Sequence, residues 1–471
     1  MTWGDIELNK KLFKNIDEDA LTSTFSGLEN CFVTEAGGIS RFPGLKLFCD
    51  LGIQSDIHIG RYQNDMIAVS LDGRTYRVNT AGDFKEIEGS RVLGGDRVSF
   101  ARTRDGLLMA GGSEIVHYNG VKNDILSKDA PLSSWVGFID GYVLAVEKDS
   151  GRFQHSNFSD NGTWDPLNTF AVDGSPDNIN AMLITPFNEI LFTGEESIEQ
   201  YERSVGGTSA FYRRWSAGDG ISEPWTLCHA DNASWGLNSR YEFARISGQT
   251  TQSVSESIQK EIEETYSFNN LGNLDSAWAA PINIKGQKFI IFQAPKATNK
   301  YGTKGFTAVY DIRRNQWFDI NGWDASNGVP DLWAGRSVFS LWGKTFVGGE
   351  GKIYELDNSV NTNNGQTQRV YIKTGHYESS GTIRIDGVRF TLKRGVGSYE
   401  KNPKIMFRSN PDNKGFGNYQ YRDLGMTGEE NMFVEFGNQG TADTWQFEIT
   451  ITDDCPVEIR RMQIDATKVP R

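Results

Sequence analysis

From about residue 31 onward, short runs of Val, Ile, Phe and Tyr are separated by Gly, Asn or Asp turns. That period and punctuation belong to short antiparallel strands. The phrase strand, turn, strand, turn, strand recurs. It runs over Ile57–Ile87 around Asp72-Gly73, over Val98–Ile125 around Asp105-Gly106, and over Trp135–Phe158 around Asp140-Gly141. It continues from Ala181 around Asn188-Glu189 and over Thr226–Ile246. The last two repeats are Ala279–Ile320 around Lys285-Gly286 and Ser337–Leu356 around Gly343-Lys344. About seven units at a spacing of roughly 40–50 residues fall within the range of propeller blades. A single such unit has two apolar faces and two open edges. Packing the units radially buries the faces and leaves only short edges exposed. The pattern predicts an all-β chain with a β-propeller of six or seven blades over residues 30–360. Cys31–Phe48 is available to complete the first or last unit and close the ring. The competing arrangement is a string of unrelated β-meanders or sandwiches, which would not require a shared strand-turn-strand grammar.

One segment breaks the β pattern. In QSVSESIQKEIEETY, residues 252–266, the apolar Val254, Ile258 and Ile262 recur every four residues, with Tyr266 next in line. This spacing predicts an amphipathic helix of about four turns, inserted in the propeller and packed on it. A helix that binds a partner is the lesser alternative. NSVNTNNGQTQ, residues 358–368, is polar and turn-rich, which places a linker at 361–369. Residues 370–471 then read as a separate C-terminal β-sandwich domain. The alternations Val388/Phe390/Leu392 and Trp445/Phe447/Ile449/Ile451 suit strands with one buried face. Residues 1–29 carry charge and few strand signals, and are expected to form an N-terminal arm, extended or disordered.

The chain has 48 Lys plus Arg against 61 Asp plus Glu, a net charge of −13. Non-specific wrapping of nucleic acid depends on neutralised phosphates, so this balance argues against it without excluding a local basic patch. An acidic wall along a DNA conduit would instead repel DNA and keep it from sticking. At 471 residues the chain is long enough for two to four domains, or for one large β domain with an appendage. No stretch approaches the roughly 18 apolar residues of a transmembrane helix. The opening MTWGDIELNKKLFKNIDEDA lacks the apolar core of a signal peptide, which argues against Sec-type secretion. Cys31, Cys49, Cys228 and Cys455 form no C-x-x-C pair. Cys31 and Cys49 could meet across a hairpin, but four free thiols in a reducing cytoplasm are expected.

The motifs of chemistry are sparse. No GxGxxG or GxxxxGK[ST] follows a strand and opens a helix, and no HExxH or GxSxG appears. Gly37-Gly38, Gly94-Gly95, Gly111-Gly112, Gly206-Gly207 and Gly348-Gly349 read as turns and bulges. His58, His117, His155, His229 and His376 are scattered, so a three-histidine metal site has weak support. Ser159-Asp160-Asn161-Gly162-Thr163-Trp164 resembles the Asp-box turn of propeller sialidases, one residue short between Gly and Thr. There the turn is a structural hairpin device, remote from catalysis. Glu195, Glu196, Glu199 and Glu202 read as a solvated edge, and the aromatic residues as packing between blades. The expectation is a chain with no catalytic residues, no cofactor and no metal site, hence an assembly or binding protein rather than an enzyme.

Several phrases resemble the packaged-DNA stabilisation, or tail-hub, proteins of short-tailed bacteriophages. They begin with GISRFPGL at Gly38–Leu45, similar to the family's arginine-phenylalanine-proline-glycine opening of the propeller. They continue with NFSDNGTWDPLNTFAVD at Asn157–Asp173, Ser175-Pro176-Asp177, EILFTGEESIEQY at Glu189–Tyr201 and AVYDIRRNQWF at Ala308–Phe318. A degenerate lead, Gln252-Ser253-Val254-Ser255, precedes the helix. In the C-terminal part PKIMFRS at Pro403–Ser409, DLG at Asp423–Gly425 and WQFEITITDD at Trp445–Asp454 stand in the family's order, followed by Pro456-Val457. One departure is Lys414-Gly415-Phe416, which replaces the usual Gly-Gly-x-x-Trp.

The resemblance implies a virion structural protein in the phage tail, assembled in the host cytoplasm. It would form a ring, most simply a hexamer, below the portal and its adaptor. The ring would close the DNA channel, retain the genome and attach needle, spike or fibre proteins. Double-stranded DNA would pass through without sequence-specific binding. Six copies of a −13 chain would carry −78, part of it facing the channel. The alternative is a propeller-type glycan-binding or glycan-degrading phage protein. A propeller adaptor encoded by the host is a third possibility.

Overall fold

The computed structural model describes residues 3–6, 27–172, 174–206, 209–265, 274, 276–397, 401–429 and 433–469. The chain divides into two compact units that interleave in sequence. One comprises residues 47–297 and 334–356; the other comprises 1–46, 298–333 and 357–471.

The first unit contains the propeller, a six-blade arrangement. Five blades are four-stranded antiparallel meanders. They span Ile57–Glu86, Ser99–Ile125, Val136–Ala171, Ala181–Gly218 and Cys228–Ser253, blades 1 to 5. The sixth sheet is built from Ser337–Leu341, Lys344–Gly348 and Lys352–Asp357. A hairpin, Trp278–Ile284 with Gln287–Thr298, packs between blade 5 and this sheet.

Alternation along the second strand of each blade shows why the blades lean on one another. In blade 1, Met66 and Ala68 enter one apolar cluster while Ile67 and Val69 enter the next. Blade 2 repeats this, with Leu107 and Met109 on the blade 1 side and Leu108 and Ala110 on the blade 3 side. Blade 3 sends Val143 and Ala145 one way, and Leu144 and Val146 the other. Successive strand residues point to opposite faces, so a continuous apolar run serves two interfaces at once. The ring closes where Cys49, Leu51, Ile57 and Ile59 meet Leu341, Phe346 and Ile353. The Leu51 N–H bonds the Gly351 carbonyl at 2.9 Å, and the Ile57 N–H bonds that of Gly349 at 3.0 Å.

The turns are made by residues that tolerate a left-handed backbone. Asp140-Gly141 and Lys285-Gly286 have positive φ at both central positions, the two-residue hairpin geometry. In the sixth sheet the left-handed pair is Trp342-Gly343, one residue earlier than the turn expected at Gly343-Lys344.

The structure changes three sequence-based boundaries. The seventh unit expected over Ala279–Ile320 is divided. Its first hairpin lies in the propeller unit, whereas Lys304–Asp311 and Gln316–Asp319 lie in the other unit. The helix covers only Gln259–Thr265, about half the expected length. Thr250–Ser253 form instead the fourth strand of blade 5, where ladder bonds to Ala244–Ser247 outweigh the helical period. Ile258 and Ile262 are buried as the spacing requires; Tyr266 lies outside the described residues. The closing segment at Cys49–Leu51 falls later than most of Cys31–Phe48, whose strands Cys31–Val33 and Ile39–Arg41 belong to the second unit.

The second unit is built on two long strands, Tyr377–Leu392 and Phe433–Ile451. Bulges at Glu378/Ile383 and Ile385/Gly387 bend the first across the second. Glu458–Lys468 and Val370–Lys373 extend the sheet, and Leu28–Glu29 joins Val370–Lys373 to Gln316–Asp319. Lys404–Pro411 pairs along Phe433–Ile451. Two segments expected to be peripheral are structured. Within the arm expected over 1–29, Leu28–Glu29 is a buried core strand, while residues 7–26 lie outside the described residues. The linker over 361–369 forms a hairpin turned by Asn364-Gly365, with Asn363 and Gln368 buried. The Gln368 Nε2 donates to the Pro43 carbonyl at 3.3 Å. All four cysteines are free and buried.

Candidate functional site

The phrases that carry the family resemblance turn out to be packing devices. Arg41 is buried and donates to the carbonyls of Asn361 at 2.7 Å and Asp453 at 3.0 Å. Phe42 packs on Phe318 with ring centroids 6.0 Å apart. At Gly44 a Cβ would lie 2.4 Å from the Thr362 carbonyl oxygen and 2.6 Å from that of Val360, so the chain passes only as glycine. Asp177 accepts from the Glu196 N–H at 2.8 Å and from the Ser197 hydroxyl at 3.0 Å. Two motifs of the propeller are thereby clipped together. In the Asp-box-like turn, Asp160 accepts from the Thr163 hydroxyl at 2.7 Å and from the Gly162 N–H at 3.1 Å. Trp164 is buried there, its indole N–H bonded to the Asn161 carbonyl at 2.9 Å. The turn is a hairpin clasp.

The four glutamates read as a solvated edge separate into two kinds. Glu195 and Glu196 are exposed. Glu199 is buried: its carboxylate accepts the Gly174 N–H at 2.5 Å and the Tyr201 hydroxyl at 3.3 Å, with Arg213 at 3.4 Å. Glu202 is half-buried and receives the Tyr212 hydroxyl at 3.0 Å and Arg214. Strand alternation turns Glu199 inward, a consequence of register that charge counting does not reveal.

The second unit holds a buried polar seam that no motif announces. Glu29 lies at its centre, with its carboxylate 2.5 Å from Arg369 and 3.2 Å from Lys300. The Tyr301 hydroxyl donates to it as well. Lys300 also reaches Asp319 at 2.7 Å. Burial opposes ionisation of Glu29. The charges of Lys300 and Arg369 and the hydrogen bonds from Tyr301 and Arg369 overcome it and hold the carboxyl below the usual range. Arg369 lies over the rings of Tyr371 at 4.9 Å and Tyr301 at 5.4 Å. The seam continues at Glu448, which takes a bidentate pair from Arg408 at 2.7 and 2.9 Å. It also accepts from the hydroxyls of Tyr371, at 2.9 Å, and Tyr419. PKIMFRS and WQFEITITDD thus meet through Arg408 and Glu448. At the departure from the family pattern, Phe416 supplies an aromatic face to Arg408 at 4.9 Å and Lys373 at 5.6 Å.

The propeller has its own half-buried cation. The Arg97 guanidinium lies over Trp278 at 5.1 Å and Trp225 at 5.9 Å, and donates to the Arg336 carbonyl at 2.6 Å. Burial, with the like charge of Arg336, outweighs Asp56 and Asp96 and pulls its pKa down to about 9. Trp225 in turn stacks on Trp135 at 4.2 Å. The five histidines do not converge. Burial lowers the pKa of His58, His117, His155, His229 and His376, leaving each ring neutral at pH 7. Among the described residues no group of three or more His, Cys, Asp or Glu is placed to hold a metal ion. Burial pushes the Cys49 and Cys455 thiols up to about 11, so they are protonated and poorly nucleophilic at pH 7. No helix among the described residues is long and apolar enough to cross a membrane.

Surface cavities lie at the blade tips. One, of about 390 Å³, is lined by Phe187, Glu189, Arg214, Trp215, His229 and Asn232. Another, of about 650 Å³, is lined by Arg102, Arg104, Asp105, Phe138, Ser159 and Asn161 among others.

Hairpin sheets leaning on one another around a closed ring define a β-propeller protein, and buried polar clasps account for its recurrent phrases. Residues 32–361 match the family described as "Bacteriophage P22 Gp10, beta-propeller", and the chain belongs to that family. It is a phage virion structural protein of the DNA-stabilisation type. No curated protein matches the chain. Among solved structures, the WD40 β-propeller domain of Doa1 is similar at 11% identity, covering 67% of this chain and 97% of that one, TM-score 0.38. The exo-beta-1,3-galactanase of Phanerochaete chrysosporium with galactose is similar at 7% identity, covering 82% and 98%, TM-score 0.29.

Proposed function

We propose that the chain forms a ring, a hexamer, in the phage tail below the portal and its adaptor. The ring closes the DNA channel, retains the packaged genome and carries the distal needle, spike or fibre proteins. It works by docking and catalyses no reaction. The family match over residues 32–361 carries this proposal. Net charge supports it: six copies of a −13 chain bring −78, and acidic side chains toward the channel let DNA slide. The test is to assemble particles without the chain. Heads that package DNA and then lose it, with loss prevented by adding the purified chain back, are the expected result. Particles that keep their DNA and lack only host attachment would refute it.

A second function is favoured by one observation. The 390 Å³ cleft combines the rings of Phe187, Trp215 and His229 with Glu189, Arg214 and Asn232, a mixture suited to sugar faces and hydroxyls. A glycan-binding role predicts retention of the chain on host polysaccharide, lost on Trp215→Ala.

A further inference from the structure

In a four-stranded antiparallel meander the first and third turns lie at one end of the strands and the second turn at the other. The first and third turns of blades 2, 3 and 4 therefore share one face of the propeller. That face exposes Val121 at 83%, Phe158 at 58%, Leu167 at 88%, Phe187 at 58% and Val205 at 92%. Isolated exposed apolar side chains are ordinary, but four on turns of one face, with Leu167 on the irregular fourth strand of blade 3, mark an interaction surface.

Between blades 2 and 3 the same face opens into the 650 Å³ cleft. Arg102 and Arg104 line it and are exposed, and among the described residues neither guanidinium has a hydrogen-bond or ionic partner. Asp105 is the one acid in the lining, so the cleft is net positive in a chain of −13. Its edge at Gly141 abuts the exposed ring of Phe158. The opposite face carries the second turn of blade 4, where Glu195 and Glu196 stand side by side and exposed. Their carboxylates have no partner among the described residues; the backbone of Glu196 is held, its N–H by the Asp177 carboxylate and its carbonyl by the Asp219 N–H at 3.1 Å.

We propose that the cleft between blades 2 and 3 docks the Glu195-Glu196 turn of a second copy of this chain, with Phe158 as its apolar rim. Arginine forks match carboxylates in charge and geometry, and the turn supplies two carboxylates to two guanidinium groups. The two surfaces lie on opposite faces of one propeller, so a copy cannot satisfy itself. A contact between two different surfaces repeats head to tail and forms a ring when the rotation closes. The inference rests on the ring proposed above and supplies its contact.

The test uses the purified full chain, with assembly read by native mass and negative-stain images. The variants are R102E/R104E and E195R/E196R. All four residues are exposed and unpartnered, so an unchanged melting temperature is the folding control. The wild type is expected to assemble. Each variant alone should assemble on the order of tenfold more weakly, because like charges then face each other. An equimolar mixture of the two should recover assembly, since each acidic cleft meets a basic turn. Raising the salt should weaken wild-type assembly. Rings that form equally well in both variants would overturn this contact and leave the ring intact. A wild type that never assembles would overturn both.

Discussion

Around Phe153 the interface of blades 3 and 4 is built from rings and aliphatic chains: Phe192 lies 4.4 Å away, Tyr201 5.5 Å and Phe211 6.2 Å. Around Glu29 the second unit buries carboxylates at comparable depth and covers them with the partly exposed Lys300, Arg369 and Tyr301. The first arrangement tolerates variation, because apolar packing is non-directional and needs only volume and pattern. The second is stringent, since removing one member strands the charges that remain. Glu29 is paired in register with Asp319 on one side and Tyr371 on the other, and so ties together three distant segments of the chain. The propeller repeats one local solution, whereas the second unit depends on a single non-local one.

Substitutions at four positions sharpen the contrast. The largest effect is expected for Glu29→Ala, which leaves Arg369 without a carboxylate and Lys300 with Asp319 alone, and should cost about 3–5 kcal/mol. Calorimetry should show the second unit melting early while hydrogen exchange in the propeller strands is unchanged. Glu29 also sets a pH dependence. Its folded pKa lies below the unfolded value, so its contribution is complete above about pH 4.5 and is lost as pH falls through the folded pKa. Glu29→Gln should flatten that acid limb. Phe153→Ala should cost about 3 kcal/mol and expose blades 3 and 4 to exchange, with the Glu29 seam intact. Gly44→Ala drives a methyl into two backbone carbonyls and should cost about 2 kcal/mol in thermal melts. Thr163→Ala removes one exposed hydroxyl bond to Asp160 and should cost about 0.5 kcal/mol or less. If Phe153→Ala proved more damaging than Glu29→Ala, the contrast between the two regions would be wrong.

The propeller was legible because its rules are local. Each strand run needs only alternation and a turn residue, and Met66 to Val69 display both faces of a blade in four letters. The sixth sheet and its closure by Cys49–Leu51 require sequence-distant contacts, which is why alternation alone leaves six or seven blades and reads Ala279–Ile320 as one unit. The helix was overdrawn because Val254 fits a four-residue period, although Thr250–Ser253 had a ladder partner in Ala244–Ser247. The seam was not legible at all. Glu29 sits in a stretch of weak strand signal, and Glu448 alternates with Phe447 and Ile449 as a solvent-facing residue would. Only pairing with Val370–Lys373 and Lys404–Pro411 shows that this second face is covered.

The most direct measurement of the central claim is a cryo-electron microscopy map of the intact phage tail. The expected result is a closed ring of copies of this chain below the portal, with the blades of each copy around one axis and a net-negative surface toward the DNA. Its absence from the tail, or a ring whose channel surface is net positive, would contradict the claim.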